Sequence, residues 1–312
     1  MKFGVVIVTY NRLELLKRAL SLYDEQRDYI DYVIVVDNHS TDLTGAYLDT
    51  WTKDVSKYRR IVISEPSNIG GSGGFHDGLK ASLLLDSEWI WVADDDAMPY
   101  ADTFAEANNF ITGLGLRAAN TSAVCAAVHR SDGEIEYGHR ALMYKNGRKV
   151  VRESLSPTSY ADPCTTFNCY SFVGTFLRKG ALKKAGLPKR KYFIWYDDTE
   201  HSLRMSKKGT IYLAPKIRVL HLDPVLSDEI SWKSFYGMRN NGDLIRKHFG
   251  ILCYVFYWHW QFQSARGLPS SIMRREVLNM TKSAFWGSVL HIFGIHRIYK
   301  PGWTLRLERM PK

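Results

Sequence analysis

The chain has 312 residues, a net charge of +10, 45% hydrophobic and 24% charged residues, which excludes a disordered polymer and fits a large globular domain with a smaller appendage. Four cysteines without CxxC spacing point to free thiols in a reducing compartment, and no apolar run reaches bilayer-spanning length. The charge is uneven: from Trp232 to Lys312 there are 13 Lys/Arg against 3 Asp/Glu, so the first 231 residues balance to zero and the basic tail predicts an anionic partner.

The opening, Met1 to Val8, is too short and too soon polar for a signal peptide. The run from Lys2 to Tyr10 reads as a buried strand, broken at Asn11-Arg12. Leu13, Leu16, Ala19 and Leu20 then recur at helical spacing, and the helix is expected to reach about Arg27. Tyr32 to Asp37 is a second buried strand, closed by the turn residues Asn38 to Asp42; a further helix to about Thr52 and a short strand at Arg60–Ile63 follow. This β-α-β-α-β order predicts an α/β fold with a parallel sheet, whose ligands bind beyond the carboxyl ends of the strands. Thr9, Asp37 and the segment after Ile63 lie at those ends. That segment contains Asn68-Ile69-Gly70-Gly71-Ser72-Gly73-Gly74, read as a glycine-rich loop that exposes N–H groups to phosphate ahead of a helix from Phe75 to Leu85. Its competing reading is a plain flexible loop.

Trp89 to Ala93 is the next strand, and it delivers three carboxylates, Asp94, Asp95 and Asp96. Adjacent acids repel, and a divalent cation relieves them. On extended chain Asp94 and Asp96 would share one face while Asp95 points elsewhere. An acidic turn in solvent is the bland alternative. Ala97 to Gly115 reads as a helix, Ala123 to Val128 as a strand, and 138–163 as irregular chain or a small hairpin without assigned chemistry. Tyr137 and His139 read as packing or loop residues. Trp195-Tyr196-Asp197-Asp198-Thr199-Glu200 leads aromatics into a helix whose first turn is acidic. N-capping accounts for one of those acids but not for all three. Two short strands, Ile211–Ala214 and Ile217–Leu220, precede His221, a residue type that suits Mn²⁺ more than Mg²⁺.

Four motifs together, Val8-Thr9-Tyr10-Asn11-Arg12, Val36-Asp37-Asn38-His39-Ser40-Thr41-Asp42, Asn68-Ile69-Gly70-Gly71 and Ala93-Asp94-Asp95-Asp96, resemble the successive motifs of inverting family-2 glycosyltransferases over Met1 to about Gly242. The resemblance implies a GT-A fold, a nucleotide-sugar donor and a divalent metal, Mn²⁺ or Mg²⁺. It implies that Thr9, Asn11 and Asp37 hold the nucleoside, that Tyr10 and Arg12 also belong to the donor site, and that Phe167 to Leu177, with Gly174, is the strand beneath the acceptor pocket. Asn68, Gly70, Gly71 and Gly73 would flank the donor, with Asp94 and Asp95 beside it. Asp94, Asp96 and His221 would bind the metal. Asp198 would be the catalytic base, with Asp197 the second choice, and Glu200 would orient the acceptor or support its loop. Trp195 and Tyr196 would face the acceptor. Together with Tyr236-Gly237-Met238-Arg239-Asn240, these motifs resemble the galactofuranosyltransferase and rhamnosyltransferase branch, in which Arg239 would contact diphosphate or make an ordinary helix salt bridge.

The expected activity is transfer of galactofuranose from UDP-galactofuranose to a hydroxyl of a lipid-linked glycan in bacterial surface polysaccharide synthesis, with dTDP-rhamnose as the second donor. A rival of another class is a non-catalytic membrane-docking assembly protein. The expected domains are 1–242, catalytic, and 243–312, a helical segment of basic and aromatic residues that docks on an anionic membrane, packs on the catalytic body or forms a homo-oligomer. Nucleic acid is not an expected partner, because no recognised module accompanies the charge. The expected location is cytoplasmic, peripheral on the inner face of the cell membrane.

Overall fold

The computed structural model describes residues 1–222 and 230–305. The described residues fall into two units. The first takes residues 1–142, 153–190 and 198–222; the second takes 143–152, 191–197 and 230–305.

The first unit runs β1 (Phe3–Thr9), α1 (Leu13–Glu25), β2 (Ile30–Asp37), α2 (Thr44–Trp51), β3 (Arg59–Ser64), α3 (Gly70–Ser82), β4 (Trp89–Asp94), β5 (Ala97–Pro99), α4 (Thr103–Gly113) and β6 (Thr121–His129). Next come β7 (Arg140–Asn146) and β8 (Lys149–Ser154), a hairpin whose tip belongs to the second unit, then β9 (Thr166–Phe167), β10 (Cys169–Tyr170), β11 (Thr175–Arg178), α5 (Lys179–Ala185), α6 (Asp197–Met205) and β12 (Thr210–His221). The sheet order is β3-β2-β1-β4-β11-β6-β12-β5, with β9 on β12. β3, β2, β1 and β4 are parallel, β12 is parallel to β6, and β11 runs antiparallel between β4 and β6. Parallel strands align their carboxyl ends, so Thr9, Asp37, Asp94, His129 and His221 all end along one edge of the sheet.

Every residue of β1 is buried, as its run of β-branched side chains predicts for a central strand. α1 buries Leu16, Ala19, Leu20 and Tyr23, one stripe at helical spacing. Below it Trp91, Phe104, Phe176 and Phe3 form an aromatic core, and the Trp91 indole donates to Tyr23 Oη at 2.9 Å.

Four readings of the sequence are corrected. The glycine run is the start of α3, which begins at Gly70 rather than Phe75. A Cβ on Gly74 would come within 2.6 Å of Val8, and one on Gly78 within 2.5 Å of Val6, so these glycines let the helix lie close on the sheet. Ala97–Gly115 is not one helix: Ala97–Pro99 pairs antiparallel with β12, and α4 starts at Thr103. Phe167–Leu177 is broken into β9, β10 and β11, with a left-handed Gly174 before β11. The two short strands before His221 are one strand with a register shift between Ala214 and Arg218, where Pro215 cannot donate to the ladder.

In the second unit α7 (Trp232–Phe249) runs unbroken across 242–243, and it packs with α8 (Ile251–Arg266) and α9 (Ser271–Val289). Ser231 begins α7 with a capping box. Gly242 leaves room for the Trp258 ring, which a Cβ would meet at 2.7 Å. No helix among the described residues is long and apolar enough to cross a membrane. Residues 306–312 of the expected C-terminal segment lie outside the described residues.

Candidate active site

The strand ends bring the acids together. β4 stops at Asp94 and the chain turns through Asp95 and Asp96, so the expected alternation fails: Asp95 and Asp96 both reach Arg12. Arg12 Nη1 lies 3.1 Å from Asp95 Oδ1 and 2.6 Å from Asp96 Oδ2. Asp95 also accepts from Thr9 Oγ1 at 2.7 Å. Against the cost of burial, the charges of Asp95 and Asp96 hold the Arg12 pKa above its ordinary value. Burial, opposed by Arg12 and Thr9, pushes the Asp95 carboxyl up to about 6. Burial, and then repulsion from Asp96 and Asp95, holds the Asp94 carboxyl well above the ordinary carboxylate range.

The loops after β1 and β2 are tied to each other. Asn11, at a φ of 52°, accepts from Thr41 N at 2.7 Å, and its own N–H donates to Ser40 Oγ. Asp37 Oδ1 accepts from Ser40 N at 3.0 Å, while Tyr10 stays exposed. The Asn68 carboxamide oxygen accepts from Asn38 Nδ2 and from the Gly70 N–H at 2.8 Å. It therefore secures the start of α3. Of the expected donor-contacting glycines, Gly73 packs on Ile69, whereas a Cβ on Gly71 would meet open space.

His221 ends β12 beside these acids. Its Nδ1 bonds Glu136 Oε2 at 2.9 Å, and its Nε2 lies 3.8 Å from Asp96 Oδ1. Glu136 also pairs with His139 at 3.1 Å. Hydrogen bonds from His139 and His221 hold Glu136 well below the ordinary carboxylate range. The sequence reading assigned no chemistry to Glu136 or His139. Their 85- and 82-residue separations from His221 carry no local pattern; only the fold joins β6, its following turn and β12.

Asp198 lies in the first turn of α6, half-buried, and its Oδ1 accepts from Thr199 N at 2.5 Å. Asp197 is buried. Glu200 is 1% exposed and paired with Lys189 at 3.1 Å and Arg204 at 2.9 Å. Arg204 in turn donates to the carbonyls of Ala185, Gly186 and Leu187. Of its two expected roles, these contacts accord with Glu200 as a buried support for that loop.

In the second unit Phe193, Trp195 and Tyr196 all have left-handed φ, 71°, 64° and 65°, strained values for bulky residues. Asn240 Nδ2 clamps the carbonyls of Tyr192, Ile194 and Trp195 at 2.9–3.0 Å. Arg239 is 1% exposed, donates to the carbonyls of Tyr192 and Gly294, and lies over the Tyr236 and Phe293 rings. These contacts hold its guanidinium inside the unit.

The model of glycosyl transferase family 2 matches residues 4–184, more than half of the chain. The chain belongs to glycosyl transferase family 2. Galactofuranosyltransferase GlfT1 of Mycolicibacterium smegmatis is 26% identical over 258 residues, 77% of this chain and 82% of that protein. The fold is that of GT-A glycosyltransferases. GalNAc-T7, solved with UDP, GalNAc and Mn²⁺, has a TM-score of 0.60 at 13% identity over 94% of this chain, which spans 56% of that one. S. aureus TarS 1-349 in complex with UDP-GlcNAc has a TM-score of 0.54 at 14% identity, over 98% of this chain and 99% of that one.

Neighbours solved with Mn²⁺ make a divalent cation the group to test against this glycosyltransferase. Asp96 Oδ1 is buried and accepts no hydrogen bond among the described residues, a costly state that a cation relieves. The Nδ1 contact with Glu136 leaves His221 Nε2 facing that oxygen, the arrangement of a carboxylate-oriented histidine ligand. Asp94, Asp96 and His221 therefore fit the group. Glu136, His139 and His221 also place one donor atom each within 4.8 Å of one another. Since Glu136 already pairs with both histidines, it fits better as the support of the ligand than as a ligand.

Behind the acids of the glycosyltransferase's α6, His201 is fully buried, its Nδ1 accepting from Tyr170 Oη at 3.0 Å and its Nε2 donating to Gly186 O at 3.1 Å. Burial, with Arg204 nearby, lowers its pKa to about 3. The folded pKa is below the unfolded one, so the protein holds full stability above pH 6.5 and loses it as pH falls towards 3. Wild type should lose about 2 kcal/mol more than His201→Gln between pH 7 and pH 5 in urea unfolding. Equal losses in the two proteins would refute the assignment of a buried neutral histidine.

Proposed function

We propose that this glycosyltransferase is metal-dependent and inverting, and moves galactofuranose from UDP-galactofuranose to a hydroxyl of a lipid-linked glycan. The observation that carries the reading is the convergence of Asp94, Asp95, Asp96 and His221 at the carboxyl ends of parallel strands, with an unsatisfied buried Asp96 oxygen among them. The GlfT1 relatives support galactofuranose as the sugar. In this reading Thr9 and Arg12 fix Asp95, and the tied loops at Asn11 and Asp37 border the nucleoside. Asp94, Asp96 and His221 hold the cation, which supplies Lewis-acid stabilisation to the leaving diphosphate. Asp198 removes the acceptor hydroxyl proton as that oxygen attacks the anomeric carbon. Trp195 and Tyr196 border the acceptor.

The basic C-terminal helices are proposed to hold the enzyme at an anionic membrane surface, on the cytoplasmic side where nucleotide sugars are made. Exposed Ile251, Leu252, Val255 and Trp260 on α8 support that reading. Calorimetric titration tests the donor site. UDP should bind with Mn²⁺ and fail to bind with EDTA, and it should bind more tightly than dTDP. Preference for dTDP would transfer the assignment to rhamnose, and no binding of either would sink the catalytic reading.

A further inference from the structure

The second unit contains a cavity of about 520 Å³, lined in part by Tyr196 and Trp260. This volume lies in the range of small-molecule sites. One wall is the tip of the β7–β8 hairpin, which contributes Arg148, Lys149 and Arg152. No aspartate or glutamate lines it. Arg148 and Lys149 are exposed and have no carboxylate partner among the described residues; the Lys149 ammonium sits 6.0 Å from the Phe256 ring centroid. Arg148 and Lys149, adjacent in the chain, repel each other, and an anion relieves that repulsion.

The opposite wall is aromatic. Tyr196, Phe256, Tyr257 and Trp260 line it, and Trp260 is 57% exposed. Flat, partly exposed rings suit the apolar faces of a sugar. Two amides complete the lining, Gln261 and Asn241. Asn241 Oδ1 is buried and accepts no hydrogen bond among the described residues, so a ligand hydroxyl would satisfy it. Tyr196 precedes Asp198 by two residues, and its strained φ of 65° is maintained in the segment clamped by Asn240.

We infer that this cavity binds a phosphorylated saccharide, with Arg148 and Lys149 on the phosphate groups and the aromatic wall against the sugar. The inference rests on the glycosyltransfer reading for its meaning, since it makes the acceptor an anionic glycan. Binding itself is measured without catalysis.

The probes are octyl glucosyl diphosphate and octyl glucoside, titrated calorimetrically into the full chain. Wild type should bind the diphosphate at least about tenfold more tightly, the effect of one or two charge-assisted hydrogen bonds. The Arg148→Ala/Lys149→Ala double variant should bring the two affinities together. Arg148→Lys should keep most of the preference, and Trp260→Ala should weaken both ligands alike. Because the readout is a ratio, a partly unfolded variant does not imitate the expected result. Equal affinities in wild type, or a preference retained by the double variant, would overturn the inference. So would binding of phosphatidylglycerol vesicles that needs Arg148 and Lys149 while the soluble diphosphate does not bind, because the anion would then be a lipid headgroup. Failure of UDP to bind wild type in the presence of Mn²⁺ is a separate result, which sinks the donor-site reading and not this one.

Discussion

Replacing Asp198 by asparagine should lower the transfer rate by about 10²–10⁴-fold, the usual contribution of a positioned general base, while UDP affinity in the presence of Mn²⁺ stays nearly unchanged. The substitution keeps the local structure. Asp198 Oδ1 accepts from the Thr199 N–H, and an amide oxygen accepts that bond equally well. What is lost is the carboxylate's capacity to take a proton. Asp197, one residue earlier, is 7% exposed, while Asp198 remains half-buried and so more open to an incoming hydroxyl. Single-turnover transfer measured for Asp198→Asn and Asp197→Asn separates the two acids. If Asp198→Asn keeps substantial turnover and Asp197→Asn does not, the base is Asp197.

The sequence made the strand ends legible because a buried parallel strand writes a continuous apolar run, and its first polar residue marks the carboxyl end. Thr9, Asp37 and Asp94 are all marked in this way. Roles that depend on the partner side chain were not legible. Glycine permits both a phosphate loop and a close helix–sheet approach, and only the positions of Val8 and Val6 show that Gly74 and Gly78 serve the second. Three successive aspartates suggest alternation, but the strand ends at the first of them, so the other two share Arg12. Glu200 and Arg239 are residue types that suit substrates, and the groups they meet lie outside any local window: Lys189, eleven residues back, for Glu200, and Tyr192 and Gly294, 47 and 55 residues away, for Arg239. Glu136 illustrates the same point in reverse, since nothing around it in the sequence points to His221.

Asp96→Ala should abolish metal-dependent UDP binding and leave the unfolding free energy unchanged or raised. Two roles for Asp96 compete, and they make opposite predictions for stability. As the structural partner of Arg12, 2.6 Å away, its loss should destabilise the fold, because breaking a buried ion pair strands the remaining charge at a cost of about 3–5 kcal/mol. Arg12, however, keeps Asp95 at 3.1 Å and is itself half exposed, so little charge is stranded. As a cation ligand, Asp96 is held against Asp94 and Asp95 with one buried oxygen unsatisfied, and removing it relieves repulsion in the unliganded protein. Urea unfolding with EDTA present reads the first role, and UDP titration with Mn²⁺ reads the second. Mn²⁺ and UDP together should stabilise wild type and not the variant, since only a protein that binds them gains from mass action. A variant that unfolds more easily yet still binds UDP with Mn²⁺ would make Asp96 a structural acid and shift the metal site to the remaining donors around His221.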